Sequence, residues 1–217
     1  MKNFLFCVMV VFSVLPSCGG ESGARNVIVT QSSVMVNVRD FGVKGDGSDE
    51  SAAIGALLAS VDATSGAHLY FPSGTYRFTS PLAVSKNNFF MDGDGAGLTI
   101  LHFDSSNGTA LTVSDVSNVS FRNFTLICFD SATNTRTGGT AIKVYNSGSY
   151  VLENLVITDG YTGLDLEKAY SGLIRCVNIT EYVSGGSFDG VRVREAISNF
   201  FDSIDVNCRN VGWRFGT

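Results

Sequence analysis

Six side chains in the second half of this 217-residue chain have types and spacing that suit chemistry on an anionic or sugar-like ligand. Lys143, Tyr145, Asp165, Glu167, Arg192 and Arg194 fall in pairs two residues apart, one pair in each of three similar segments. Residues two apart on a strand share a face. The six therefore form two columns on one surface, carrying an aromatic ring, guanidinium groups and carboxylates. Guanidinium pairs with carboxylate in a planar fork, and a flat ring stacks on a sugar. The same residues would also build a charge ladder, Lys143–Asp165–Arg192 beside Glu167–Arg194, with no ligand at all. Acid–base cleavage of a glycosidic bond needs two placed carboxylates, for which Asp159, Asp165 and Asp189 are the candidates. The plain alternative is that these three are turn and outward-facing surface aspartates.

Other polar groups read as structural. His68 and His102 stand among strand residues. Asp46-Gly-Ser-Asp49 and Asp92-Gly-Asp94 have the look of calcium loops, yet lack the ligand count and closing glutamate of a calcium-binding hand, so they are expected to be turns.

The elements that position these residues come from an internal repeat. Gly108, Gly139, Gly163, Gly190 and Gly212 recur every 22 to 31 residues. Apolar pairs follow in register: Leu111/Val113, Ile142/Val144, Leu164/Leu166, Val191/Val193 and Trp213/Phe215. Three more columns run Phe121–Leu152–Ile174–Phe201, Phe124–Leu155–Val177–Ile204 and Leu126–Ile157–Ile179–Val206. Short runs alternating at period two are half-buried strands, and a repeat of this length carrying several of them is a solenoid of stacked coils. The pattern predicts an all-β parallel β-helix. Asn123, Asn154, Cys176 and Ser203 share a column where small polar residues suit a bend. Arg122, Glu153, Arg175 and Asp202 alternate in sign beside it. Ahead of the repeats, Ile54, Leu57, Leu58 and Val61 have helical spacing, with Ser48 or Asp49 as cap. That short helix would cover the apolar end of the first coil.

The opening carries a family resemblance. Asn37-Val-Arg-Asp-Phe-Gly-Val-Lys-Gly-Asp-Gly-Ser-Asp-Glu-Ser-Ala-Ala-Ile54, then Leu69-Tyr-Phe-Pro-Ser-Gly-Thr-Tyr76 and Phe90-Met-Asp-Gly-Asp-Gly-Ala-Gly-Leu-Thr-Ile-Leu101, resemble the pectate-lyase-like superfamily. The resemblance implies a right-handed parallel β-helix and a polysaccharide, often acidic, as partner. It leaves open hydrolase, lyase, epimerase or a non-catalytic surface glycan-binding or adhesin module. Thr158-Asp159-Gly160 is similar to one element of the hydrolase branch. Phe188-Asp189-Gly190 offers one aspartate where that branch has a pair, and neither histidine lies between glycines. The resemblance implies no cofactor, except calcium if the lyase branch applies.

Composition limits the partners. A net charge of −5 argues against a nucleic-acid backbone. Lys2 and the apolar run Phe4–Leu15 have signal-peptide character, implying export, and no later stretch is long and apolar enough to span a bilayer. Leu15-Pro-Ser-Cys18 resembles a bacterial lipobox, which would lipidate Cys18; cleavage after Ala24 is the rival. The expected organisation is residues 1–18 as signal peptide, 19–35 as flexible tether, and 36–217 as β-helix. That domain is expected to be truncated at its C-terminal side, where an uncapped coil bearing Trp213 would favour association. The destination is then secreted or envelope-anchored, in a bacterium. Cys128, Cys176 and Cys208 are an odd set at irregular spacing, read as packed thiols rather than a disulfide framework.

Overall fold

The computed structural model describes residues 35–60, 66–182 and 188–216. The leader, Cys18, residues 19–34 of the expected tether and Val61 lie outside the described residues, while Met35, the last tether position, already belongs to a strand. The chain runs through Met35–Asn37 (β1), a 3-10 turn at Val38–Phe41, Asp46–Asp49 (β2) and the helix Ser51–Ser60 (α1). Next come Ala67–Phe71 (β3), Gly74–Phe78 (β4), Leu82–Val84 (β5), Phe89–Gly93 (β6), Thr99–Phe103 (β7) and Leu111–Ser114 (β8). Ser117–Cys128 (β9), Thr140–Thr158 (β10), Thr162–Tyr170 (β11), Leu173–Thr180 (β12), Asp189–Arg194 (β13), Phe200–Asn207 (β14) and Val211–Phe215 (β15) complete it. All pairings between these strands are parallel.

The repeat columns are the observed register. Leu111, Ile142, Leu164, Val191 and Trp213 pair in sequence along the first face. Phe121, Leu152, Ile174 and Phe201 do so on the second, and Phe124, Leu155, Val177 and Ile204 on the third. Their side chains meet inside the coils, where Leu164, Leu166 and Ile174 are completely buried. Burying each contributes about 1.5–3 kcal/mol, so the interior stack holds the coils together. This is the parallel β-helix that the repeat predicts.

The bend column is equally plain. Asn123, Asn154, Cys176 and Ser203 all have left-handed backbone, with φ of 62, 52, 52 and 56°. Asparagine tolerates this region better than most residues. Its amides also bond between coils, Asn154 Nδ2 donating to Asn123 Oδ1 at 2.8 Å and Asn123 Nδ2 to Asp92 Oδ1 at 3.2 Å. Beside it, Glu153 accepts from Arg175 Nε at 2.6 Å and lies in an ion pair with Arg122 at 3.3 Å. Two further left-handed columns, Asn88–Asn118–Ser149–Ser171–Ser198 and Asp115–Asn146–Lys168–Glu195, flank the other corner. The first, all asparagine and serine, carries the same small-polar signal as the bend column and was legible; in the second, Lys168 and Glu195 break that signal. At the glycine column the reason is close approach: a Cβ on Gly163 would lie 2.6 Å from Ile179 Cγ2, and one on Gly190 would overlap Val206.

Helix α1 packs Ile54 and Leu57 into the same apolar cluster as Leu69 and Phe71. Of the two expected cap residues it is Asp49 that acts, accepting the Ser51 amide at 3.0 Å, whereas Ser48 bonds Asp46. The packed-thiol expectation holds for Cys128, buried with its thiol pushed up to about 12. It fails for Cys176, which is exposed because the left-handed bend turns its side chain outward, and Cys208 is half-buried.

Candidate functional site

The two expected columns exist on the first face. Lys143, Asp165, Arg192 and Arg214 are aligned partners on β10, β11, β13 and β15, and Tyr145, Glu167 and Arg194 align beside them. Each alternates with an inward residue such as Ile142 or Leu164, so the rigid core fixes the spacing of the outer groups.

Of the simple ladder, the Arg194–Glu167 rung is present, whereas Lys143 and Arg192 do not meet Asp165, and the other pairs run across the columns. Arg194 Nη2 donates to Asp165 Oδ1 and Oδ2 at 2.9 and 2.8 Å, and to Glu167 Oε2 at 2.9 Å. Lys143 Nζ reaches Glu167 Oε2 at 3.1 Å and sits 5.4 Å from the centre of the Tyr145 ring. Arg192 turns away from Asp165 to Asp189 at 3.1 Å. The reason is length: an arginine spans to a diagonal neighbour, while a short aspartate stays low beneath it. Glu167 is held below the usual carboxylate range, first by the hydrogen bond from Lys143, which with the charges of Lys143 and Arg194 outweighs a small desolvation penalty.

The surface-aspartate expectation is overturned for all three carboxylates. Asp159, Asp165 and Asp189 are 3, 4 and 5% exposed. Asp159 has left-handed backbone and accepts the Tyr182 amide at 2.6 Å. Asp165 lies under Arg194. Asp189 accepts from Arg192 Nη2 at 3.1 Å, Arg214 Nε and Nη2 at 3.0 and 3.1 Å, and Asn210 Nδ2 at 2.7 Å. Burial alone would raise its pKa, but the hydrogen bonds from Arg214 and Arg192, the charge of Arg214 and Asn210 outweigh burial and hold it low. A crease of about 410 Å³ opens here, lined by Tyr161, Asp189, Arg192, Arg194, Asn210 and Arg214. The presented groups are therefore cations and rings, with carboxylates beneath them.

Arg214 could have been read as a fourth member of the Arg192 column. Asn210 and Tyr161 could have been placed as well, since each stands two residues before a column glycine, Gly212 and Gly163, in register with Phe188 and so next to Asp189. The calcium ions implied by a lyase branch do not fit this face, because Asp165, Glu167 and Asp189 already neutralise arginine or lysine. Of the two histidines, His68 Nε2 pairs with Asp92 at 2.8 Å and His102 Nε2 with the Phe129 carbonyl at 3.1 Å. Asp46 and Asp94 serve turns, accepting from Ser48 and Ser73.

Comparison with known proteins places the fold in context. Residues 35–134 match the family model described as rhamnogalacturonase A/epimerase, pectate lyase-like. That stretch ends before Lys143, so the charged face lies beyond it. Over 106 residues, 44% of the chain, the sequence is 35% identical to the non-secreted LysM effector LysM19 of Penicillium expansum, covering 8% of that protein. Over 72 residues, 30% of the chain, it is 39% identical to mannuronan C5-epimerase AlgE3 of Azotobacter vinelandii, covering 4% of it. The chain thus spans a small fraction of these relatives. Among solved structures, the A-module of Azotobacter vinelandii mannuronan C-5 epimerase AlgE4 superposes with a TM-score of 0.68 at 22% identity, over 82% of this chain and 53% of that one. Coil register, opening motif and fold thus agree: the chain is a parallel β-helix whose residues 35–134 match a pectate-lyase-like family model.

Proposed function

We propose that this protein engages an acidic polysaccharide along the first face of its β-helix. The observation that carries this reading is the in-register surface of Lys143, Tyr145, Arg192 and Arg194 above buried Asp165 and Asp189. A rigid sheet repeats cationic donors at about 4.8 Å per coil, beside an aromatic ring, and offers them to a repeating anionic chain. The relatives named as mannuronan epimerases act on a polymer of that class and support the choice. Binding is the function that the geometry favours. Each candidate carboxylate is already engaged, Asp165 and Asp189 by guanidinium and Asp159 by a backbone amide, so none is set as the proton donor that hydrolysis requires. A hydrolase, lyase or epimerase activity is the second reading, favoured by the superfamily's own members.

Tyr145→Ala combined with Lys143→Ala tests the binding reading, since neither residue is buried. Affinity for polygalacturonate or alginate, measured by calorimetry, should fall at least tenfold while the melting temperature stays within a few degrees. Unchanged affinity would refute it. Incubation of the same polymers should release neither new reducing ends nor unsaturated product, and robust turnover would promote the enzymatic reading.

Export and attachment belong to the same proposal. The leader and the Leu15-Pro-Ser-Cys18 segment support delivery to an envelope surface through a lipid on Cys18. Cys18→Ser, expressed in a bacterial host and fractionated, should move the protein from membrane to soluble fractions. Identical partitioning of both forms would discard the anchor.

A further inference from the structure

We propose that the crease around Arg192 and Arg214 is an oxyanion subsite and that Asp189 is its built-in attenuator, set to make the site answer to polymers rather than to single anions. This rests on the glycan-binding reading of the first face. The inference begins with a donor count. Two guanidiniums carry ten N–H donors between them. Three bonds go to Asp189, from Arg192 Nη2, Arg214 Nε and Arg214 Nη2. The remaining donors of Arg192 and Arg214 have no protein acceptor among the described residues. Arg194 Nε, also at the crease, is buried with no partner. Asn210 and Tyr161 add polar groups to the same wall. The crease has the volume and the donors for one sulfate or carboxylate group.

Charge decides how strongly it binds. Arg192 and Arg214 contribute two positive charges, and Asp189, 5% exposed between them, cancels one. Arg194 is neutralised separately by Asp165 and Glu167. A net single charge holds a lone anion weakly in water. A polymer that also contacts Lys143 and Tyr145 gains from effective concentration, because its second contact is intramolecular. Asp189 thereby lowers affinity for free anions while leaving cooperative capture of a chain intact. A carboxylate retained in the midst of an anion site has a clear use in that design, and it also orders both arginines.

The test uses inorganic sulfate and sodium glucuronate as separate probes, to distinguish a sulfate ester from a carboxylate as the natural group. Binding is followed by calorimetry, because Trp213, the one tryptophan of the chain, packs inward on Phe201 and Phe215 and does not line the crease. Asp189→Asn keeps an acceptor for the arginines and removes the charge. It should bind at least one probe about tenfold more tightly than wild type, a gain that converts to ~1.4 kcal/mol. Adding Arg214→Gln to that variant should abolish the gain. Equal or weaker binding by Asp189→Asn overturns the attenuator. Should that variant fail to melt cooperatively, Arg192→Gln and Arg214→Gln are compared with wild type at high sulfate, and undiminished binding in both overturns the subsite. If the anion tests fail but the Tyr145 and Lys143 substitutions still weaken polysaccharide binding, the subsite alone falls. If anions bind as expected and polysaccharide does not, the glycan reading alone falls.

Discussion

Arg194 and Asp165 are joined by a single guanidinium nitrogen that contacts both carboxylate oxygens, at 2.9 and 2.8 Å, across two neighbouring coils. The aspartate is buried and the arginine is 30% exposed. That asymmetry makes Arg194 a brace of the face as much as a presented cation. Arg194→Ala leaves a buried carboxylate without its partner, a loss of about 2–4 kcal/mol, toward the lower end because solvent screens the exposed side. A fall of roughly 5–10 °C in melting temperature is expected for a chain of this size. Asp165→Asn in the same background should restore part of it, and additive effects in the double-mutant cycle would show that the pair is not coupled.

Acid should weaken the charged face. Asp189 has a folded pKa below its ordinary 3.8, so its ion pairs stabilise the protein above that value and are lost as pH falls through the lower, folded one. Glu167, depressed from 4.5, behaves in the same direction. In chemical denaturation, the stability gap between wild type and Asp189→Asn should be widest above about pH 5, narrow as pH falls below 3.8 and close only below the lower, folded pKa. A gap independent of pH would place the effect in packing instead of charge.

The left-handed bend sets a different requirement. Asn154 has φ of 52° and links to Asn123 through its side chain. Asn154→Val forces a β-branched residue into that region and deletes the inter-coil bond, for a cost of about 2–3 kcal/mol. Asn154→Gly relieves the backbone and loses only the bond, so it should cost about 1 kcal/mol. Urea denaturation that ranked glycine with valine would mean that the backbone conformation is unimportant there.

Thiol labelling should separate the cysteines by position. Cys176 is exposed at a bend, whereas Cys128 is buried with its pKa pushed up to about 12. Because the thiolate is the reactive form, a disulfide reagent at neutral pH should modify Cys176 rapidly and Cys128 only on unfolding. Fast labelling of Cys128 in the native protein would contradict the packing of the third face.

The repeat itself determined the coil stack. Alternation and glycine spacing in one dimension suffice to align Leu111, Ile142, Leu164, Val191 and Trp213, because a solenoid's contacts are all between equivalent residues of neighbouring coils. The same logic placed Asn123 and Asn154 at a bend and aligned Lys143 with Asp165 and Arg192. On the first face, apart from the Arg194–Glu167 rung, tertiary structure decided which charges meet. Side-chain length and burial carry Arg194 diagonally to Asp165 and Arg192 to Asp189, and these choices do not repeat from coil to coil. Asn210 and Tyr161 stand at a fixed offset before Gly212 and Gly163 and so are placed by the repeat, but the turn of the Asn210 amide toward Asp189 is not. Periodic backbone pairing is legible in sequence because it is imposed by the repeat. The chemistry of the face depends on local, aperiodic packing, and emerges only when the coils are stacked.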